Sequence, residues 1–91
     1  MSCMFSDAAS FNQDIGKWDV SKVTTTSYMF CGAKAFNQPL KKWDVSNVRN
    51  MSFMFADAAS FDQRLDWDTA KVTNMNQMLC GADAYSQQFE I

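Results

Sequence analysis

The sequence predicts an α/β solenoid of about 3.5 coils of 25 residues, each coil holding one short parallel strand and one short helix or 3₁₀ turn. Three observations lead there. The chain repeats itself at a fixed period. Its apolar residues are Phe (8), Met (7), Trp (3) and Ala rather than Leu, Ile and Val. No 25-residue copy can bury its own apolar face, so copies must stack and lend each other core surface. At 91 residues the chain is one small domain at most. An apolar fraction of 47 % with 14 % aromatic residues excludes a disordered chain.

The period aligns Met4, Met29, Met54 and Met78; Ala8, Ala33, Ala58 and Ala82; and Gln13, Gln38, Gln63 and Gln87. The same register stacks Phe11, Phe36, Phe61 and Tyr85; Ile15, Leu40, Leu65 and Phe89; and Trp18, Trp43 and Trp67, each Trp followed by Asp. The last spacing is 24, because the link from Leu65 to Trp67 is one residue shorter than that from Leu40 to Trp43. A second pattern spans two copies: Ser6-Asp7 and Ala56-Asp57 alternate with Cys31-Gly32 and Cys80-Gly81. Met1 falls in the column of Met51 and Met75. The copies run approximately 1–17, 18–42, 43–66 and 67–91, a single uncapped segment that begins and stops inside a repeat.

Within the copy from Trp43 to Leu65, Ser46 is placed as an N-cap. Val48, Met51, Phe55 and Ala58 follow at the three- and four-residue spacings of a helix stripe. The helix would stop at Asp57, whose equivalents Gly32 and Gly81 tolerate the left-handed conformation just past a helix end. The run Thr24-Thr25-Thr26 weakens the neighbouring helix and favours a 3₁₀ turn. Residues 61–65 alternate as a short strand with Phe61 and Leu65 on one face. Gln63 shares that face, so Gln13, Gln38, Gln63 and Gln87 are expected to point inward as an amide ladder, bonded to one another and to the backbone.

The strings Phe11-Asn12-Gln13-Asp14-Ile15, Trp18-Asp19-Val20-Ser21, Trp43-Asp44-Val45-Ser46 and Val72-Thr73-Asn74-Met75 resemble the BspA-like leucine-rich-repeat family of surface proteins, in the subgroup with Phe-Asn-Gln and Trp-Asp-Val-Ser repeats. The resemblance covers the full chain. It implies a right-handed solenoid related to leucine-rich repeats, embedded in long secreted or lipid-anchored proteins associated with adhesion and host or matrix contact, without catalytic residues. The chain departs from the pattern at Asp62 and Ser86, where Asn12 and Asn37 stand, and at Thr69-Ala70, where Val-Ser is expected.

Charge and residue types narrow the chemistry. A net charge of −2 lacks the basic excess of a nucleic-acid surface. No apolar run approaches the roughly 18–20 residues that span a bilayer, and residues 1–13 lack the regions of a signal peptide, so the chain reads as soluble and without an export signal. Localisation stays open, with the cell surface implied if the parent protein is of the family type. Histidine is absent, which removes imidazole bases and metal ligands.

Asp19, Asp44 and Asp68 share a column that could offer Ca²⁺ a row of carboxylates; the competing reading gives each a turn-forming bond to the N–H two residues on. Asp14 and Asp66 are the further candidates for acid/base work, with no pocket to hold two different environments. Cys31 and Cys80 lie two coils apart, about 10 Å by strand stacking, beyond the roughly 7 Å that a disulfide bridges. Cys3 sits in the different column of Tyr28 and Phe53. All three cysteines are expected as buried free thiols. The Trp column reads as core, or else as an exposed platform for sugar rings or Pro-rich peptides. Lys34, Lys41 and Lys42 are the one local basic group, a solvated face or a weak electrostatic contact. No catalytic, cofactor or metal residue is assigned. The expected function is a non-catalytic protein-interaction scaffold related to surface adhesion proteins, its partner a protein or matrix component; the alternative is a solenoid that associates end to end with itself through uncapped ends.

Overall fold

The computed structural model describes residues 2–87, so Met1 and Phe89 lie outside the described residues. It corrects the expected fold class. Among the described residues there is no helix and no extended strand, and Thr25, Asn50 and Asn74 form isolated parallel bridges. The body is compact, 29 × 23 × 20 Å, and is built from tight turns. Among the described residues no helix is long and apolar enough to cross a membrane.

The turns overlap. In residues 26–33 the N–H groups of Met29, Cys31 and Ala33 each donate to the carbonyl three residues back, at 3.0–3.2 Å. The intervening N–H groups of Thr26, Tyr28, Phe30 and Gly32 donate to Asn50, Ser52, Met54 and Ala56 in the next copy, at 2.8–3.0 Å. Residues 51–57 repeat the scheme, with Met51, Phe53, Phe55 and Asp57 donating to Asn74, Asn76, Met78 and Cys80. Successive copies therefore stack as layers, which we number first to fourth over 2–24, 25–49, 50–73 and 74–87.

This hydrogen bonding explains the failed helix. Val48, Met51, Phe55 and Ala58 are all buried, so the apolar stripe was read correctly. Its three- and four-residue spacing, however, is the spacing of consecutive i to i+3 turns. The first turn of each set closes on Tyr28, Phe53 or Gln77 as third residue, and the last on Asp7, Gly32, Asp57 or Gly81. All of these have φ between 54° and 79°, the sign that a type II turn requires at that place. A right-handed helix cannot continue through two left-handed residues. The left-handed site expected at Asp57, Gly32 and Gly81 is present, as a turn rather than a helix end. Ser46 is not a helix cap; its N–H and hydroxyl both donate to Asp44 Oδ1, at 3.0 and 2.6 Å. No 3₁₀ turn forms over Thr24–Thr26: Thr25 is a bridge residue and Thr26 is buried, its hydroxyl 3.2 Å from Met54 Sδ.

The expected strand over 61–65 is absent for a related reason. Phe61 and Leu65 are buried, but the Asp62 N–H donates to the side chain of Asn37 rather than to a neighbouring backbone, 2.9 Å. An extended run bonded through side chains makes no ladder.

The core is a double file of rings. Phe5–Phe11, Phe30–Phe36 and Phe55–Phe61 stack within layers at 4.1–4.3 Å between centroids, all within 12° of parallel. Between layers Phe5–Phe30–Phe55 and Phe11–Phe36–Phe61–Tyr85 stack at 5.4–5.9 Å. Met29, Met51, Met54 and Leu40 fill the remaining interior with no exposure. Burying each Phe contributes about 1.5–3 kcal/mol, so few aliphatic residues are needed.

The alternation of Asp and Gly over two layers has a steric origin. A methyl group on Gly32 would run into Asp7 Oδ1, and one on Gly81 into Asp57 Oδ1. Each carboxylate rests over the glycine of the following layer. Gly32→Ala should therefore lower stability by about 1–3 kcal/mol, combining the cost of a side chain at positive φ with the collision. Urea denaturation measures it, and adding Asp7→Gly should recover the collision part together with the positive-φ cost at residue 7; an unchanged midpoint for Gly32→Ala would contradict the packing.

Candidate functional site

The exposed side chains are positioned by the corners of the layers. Asp19, Asp44 and Asp68 each accept the N–H two residues on, at 3.0–3.1 Å. This is the turn-forming role, without the helix it was expected to launch. Ser21 and Ser46 add hydroxyl donors at 2.6 Å, and these bonds hold the Asp19 and Asp44 carboxyls below the usual carboxylate range. With an oxygen committed to its own turn, the row is a set of separate turns. Asp14 makes the same bond to Gly16, 3.0 Å, and Asp66 pairs with Arg64 at 3.0 Å. No group of three or more Cys, Asp or Glu is placed to hold a metal ion among the described residues.

The glutamine column is corrected. Gln13 is exposed and Gln38, Gln63 and Gln87 are half-buried. Gln38 Nε2 donates to the carbonyl and Oδ1 of Asn12, both at 3.1 Å, and Gln63 Nε2 to the same atoms of Asn37, at 3.2 and 3.0 Å. The amides thus bond the adjacent Asn column and the backbone rather than one another. Asn12 Oδ1 also accepts the Asn37 N–H, 2.9 Å. At the two departures from the repeat pattern the contact survives: Asp62 Oδ1 accepts the Ser86 N–H at 2.9 Å and Gln87 Nε2 at 3.2 Å. The Ser86 N–H above all holds the Asp62 carboxyl below its usual range.

Trp43 and Trp67 are core. Their rings stack at 6.5 Å and 6°, and each indole Nε1 donates 2.9 Å to a carbonyl of the preceding layer, Ile15 and Leu40 respectively. Trp18 differs, at 41 % exposed. Sequence reasoning missed a second aromatic pair. Tyr28 and Phe53 stack on the outside at 4.8 Å and 4°, with Tyr28 40 % exposed. Only their shared column with Cys3 signalled it.

The three cysteines are free, yet not buried as expected. Cys3 and Cys80 are exposed and Cys31 is half-buried: Cys3 is itself an outward left-handed turn residue, and Cys31 and Cys80 precede the left-handed Gly32 and Gly81. Burial, with Asp57 and Asp7 nearby, pushes the Cys31 thiol up. Burial also raises Tyr85, whose hydroxyl is buried without a partner among the described residues where other layers carry Phe.

The lysines separate into two hollows. Lys34 lies in an open groove of about 450 Å³ with Asp7, Gly32, Asp57, Gly81 and Asp83. Lys41 and Lys42 line another of about 180 Å³ with Asp14, Gly16, Lys17 and Pro39. All three lysines are exposed.

Stacked turn layers with a repeating interior and changing corners define a small repeat protein, without helix or extended strand among the described residues. The chain belongs to the family described as Mycoplasma protein of unknown function, DUF285, whose profile matches residues 1–91. No curated protein and no solved structure matches it.

The lowered carboxyls give stability a pH dependence. Asp19, Asp44 and Asp62 bind protons less readily folded than unfolded, so their contribution is complete above the model-peptide value of 3.8 and is lost as pH falls through the lower folded values. Urea midpoints measured from neutral pH downward should be level and then fall below that value. A variant carrying Asp19→Asn, Asp44→Asn and Asp62→Asn should show a shallower acid limb; an acid limb as steep as that of the original protein would contradict the assignment.

Proposed function

We propose that the chain is a non-catalytic protein-interaction scaffold, a segment or relative of a surface adhesion protein of the BspA-like leucine-rich-repeat type. The observation that carries this reading is the division between columns. The repeating Met, Ala, Phe and Trp residues face inward, while exposed corner columns change from layer to layer: Ala9, Lys34, Ala59 and Asp83; Lys22, Asn47 and Lys71; Asp14, Pro39 and Arg64. A fixed frame with changing surface residues suits recognition. The resemblance in the Phe-Asn-Gln and Trp-Asp-Val-Ser strings supports the surface location.

A second reading, self-association, is favoured by one specific contrast. Met4 is 53 % exposed, whereas Met29 and Met54 have no exposure and Met78 has 5 %; Trp18 is 41 % exposed against 3 % and 9 % for Trp43 and Trp67. The interior interfaces show what covers this face: another layer of the same kind, offering a carbonyl to the indole N–H. Such a layer can come from a further repeat of the same polypeptide or from a second copy, and the self-association reading takes the second.

Membrane-impermeant biotinylation of intact producing cells tests the surface reading, since the exposed lysines should label before lysis. Labelling that requires lysis overturns it. Sedimentation over a concentration series tests self-association: the average mass should rise with concentration, and Trp18→Gln should shift the association constant by about tenfold or more, the scale of a lost buried indole and its hydrogen bond. A monomer at every concentration ends this reading.

A further inference from the structure

We propose that the hollow between Lys17, Lys41 and Lys42 binds a single side-chain carboxylate of an acidic peptide segment on a protein partner. The inference rests on the reading of the chain as an interaction scaffold and names the chemistry of one contact.

The hollow exists because one layer lacks a side chain. Gly16, Lys41 and Asp66 occupy equivalent corners of three successive layers. At Gly16 a Cβ would meet Pro39 O at 2.9 Å, so the corner must stay bare and leaves a space of about 180 Å³. Lys17 and Lys42, equivalent residues one layer apart, stand at its rim beside Lys41. Pro39 and the lysine methylene stems supply apolar walls, as such stems do when the ammonium stays in water.

None of the three ammonium groups is paired within the described residues, where the ion pair present is Arg64–Asp66. Asp14, the carboxylate lining the same hollow, has an oxygen engaged by the Gly16 N–H. Three cations thus face one partly committed anion.

The surroundings choose among anionic ligands. The basic strip stops at the third layer, where the shortened link puts Asp66 in place of a lysine pair. The exposed carboxylates of Asp19, Asp44 and Asp68 run alongside, two residues beyond Lys17, Lys42 and Asp66. A polyanion such as nucleic acid or a sulfated polysaccharide needs a continuous positive track, and these carboxylates interrupt it. One carboxylate on a short aliphatic stem fits both the small volume and the apolar walls.

NMR titration of the ¹⁵N-labelled chain with a capped Leu-Glu-Leu peptide tests the proposal, against Leu-Gln-Leu and heparin as separate arms. The Glu peptide should shift the amides of Gly16, Lys17, Lys41 and Lys42 with a Kd of roughly 1 mM, and the Gln peptide should not. Lys17→Gln, Lys41→Gln and Lys42→Gln together should weaken binding by about tenfold or more; these exposed residues leave the core intact, so an unchanged spectrum elsewhere verifies the fold. Equal shifts from the Gln peptide, no shift at the hollow, or tighter binding of heparin there would each overturn the proposal. The scaffold reading fails separately, if intact cells do not label.

Discussion

Every other backbone N–H in the Met-Phe segment of the first three layers is given to the layer that follows, and the rest of the molecule depends on that arrangement. A buried peptide group must find a partner, and without a helix or a sheet the partner can only be a tight turn or the neighbouring layer. The two kinds of bond alternate residue by residue from 26 to 33. Left-handed residues at both ends of the run make the alternation possible, since they turn successive N–H groups to opposite sides. The side chains are then obliged to repeat. A layer whose backbone copies its neighbour's places like residues over like, which is why Phe stacks on Phe within 3–10° of parallel between layers.

The far side of each layer lacks such bonds and uses side chains instead. Asn12, Asn37 and Asp62 accept the N–H of the next layer's equivalent residue, and the glutamine one position on clamps the same group. An Asp serves as well as an Asn here because both present Oδ1 as an acceptor. The indole N–H of Trp43 and Trp67 ties the third side to the layer before. The missing residue before Trp67 is absorbed at the corner: the spacing of the backbone bonds drops from 24 to 23 residues between the third and fourth layers without breaking the series.

The repeat and the Phe and Met of the core were readable from residue types, and so was the turn-forming role of Asp44, whereas the cysteines expected inside lie at the turns. Secondary structure was not. The stripe Val48, Met51, Phe55, Ala58 satisfies a helix and a run of overlapping turns equally, and periodicity cannot separate them. The deciding signal lay at Tyr28 and Phe53, where nothing in the residue type announces a positive φ. Gln63 was misassigned because alternation was taken from a strand that does not form; its half-buried place follows from the Asn37 amide it bonds. The hollow at Gly16 was invisible because it comes from an absent side chain meeting a carbonyl one layer away.

The column of Cys3, Tyr28, Phe53 and Gln77 shows which level of the structure governs. For an L-residue the left-handed conformation costs roughly 1–2 kcal/mol, and Gly or Asn would carry it more cheaply. Four unlike side chains nevertheless adopt φ of 54–61° there. Their shared property is position: Tyr28, Phe53 and Gln77 are each the third residue of the first turn of their layer, where a type II turn requires a positive φ, and each N–H from the first three members of the column donates to the next layer. Stacking of Tyr28 on Phe53 returns about 0.5–1.5 kcal/mol to two of them, which is comparable to the backbone cost. The layer bonds therefore impose the backbone and leave the side chain unconstrained, and the same separation between a fixed frame and unconstrained corners places Lys17, Lys41 and Lys42 around a glycine.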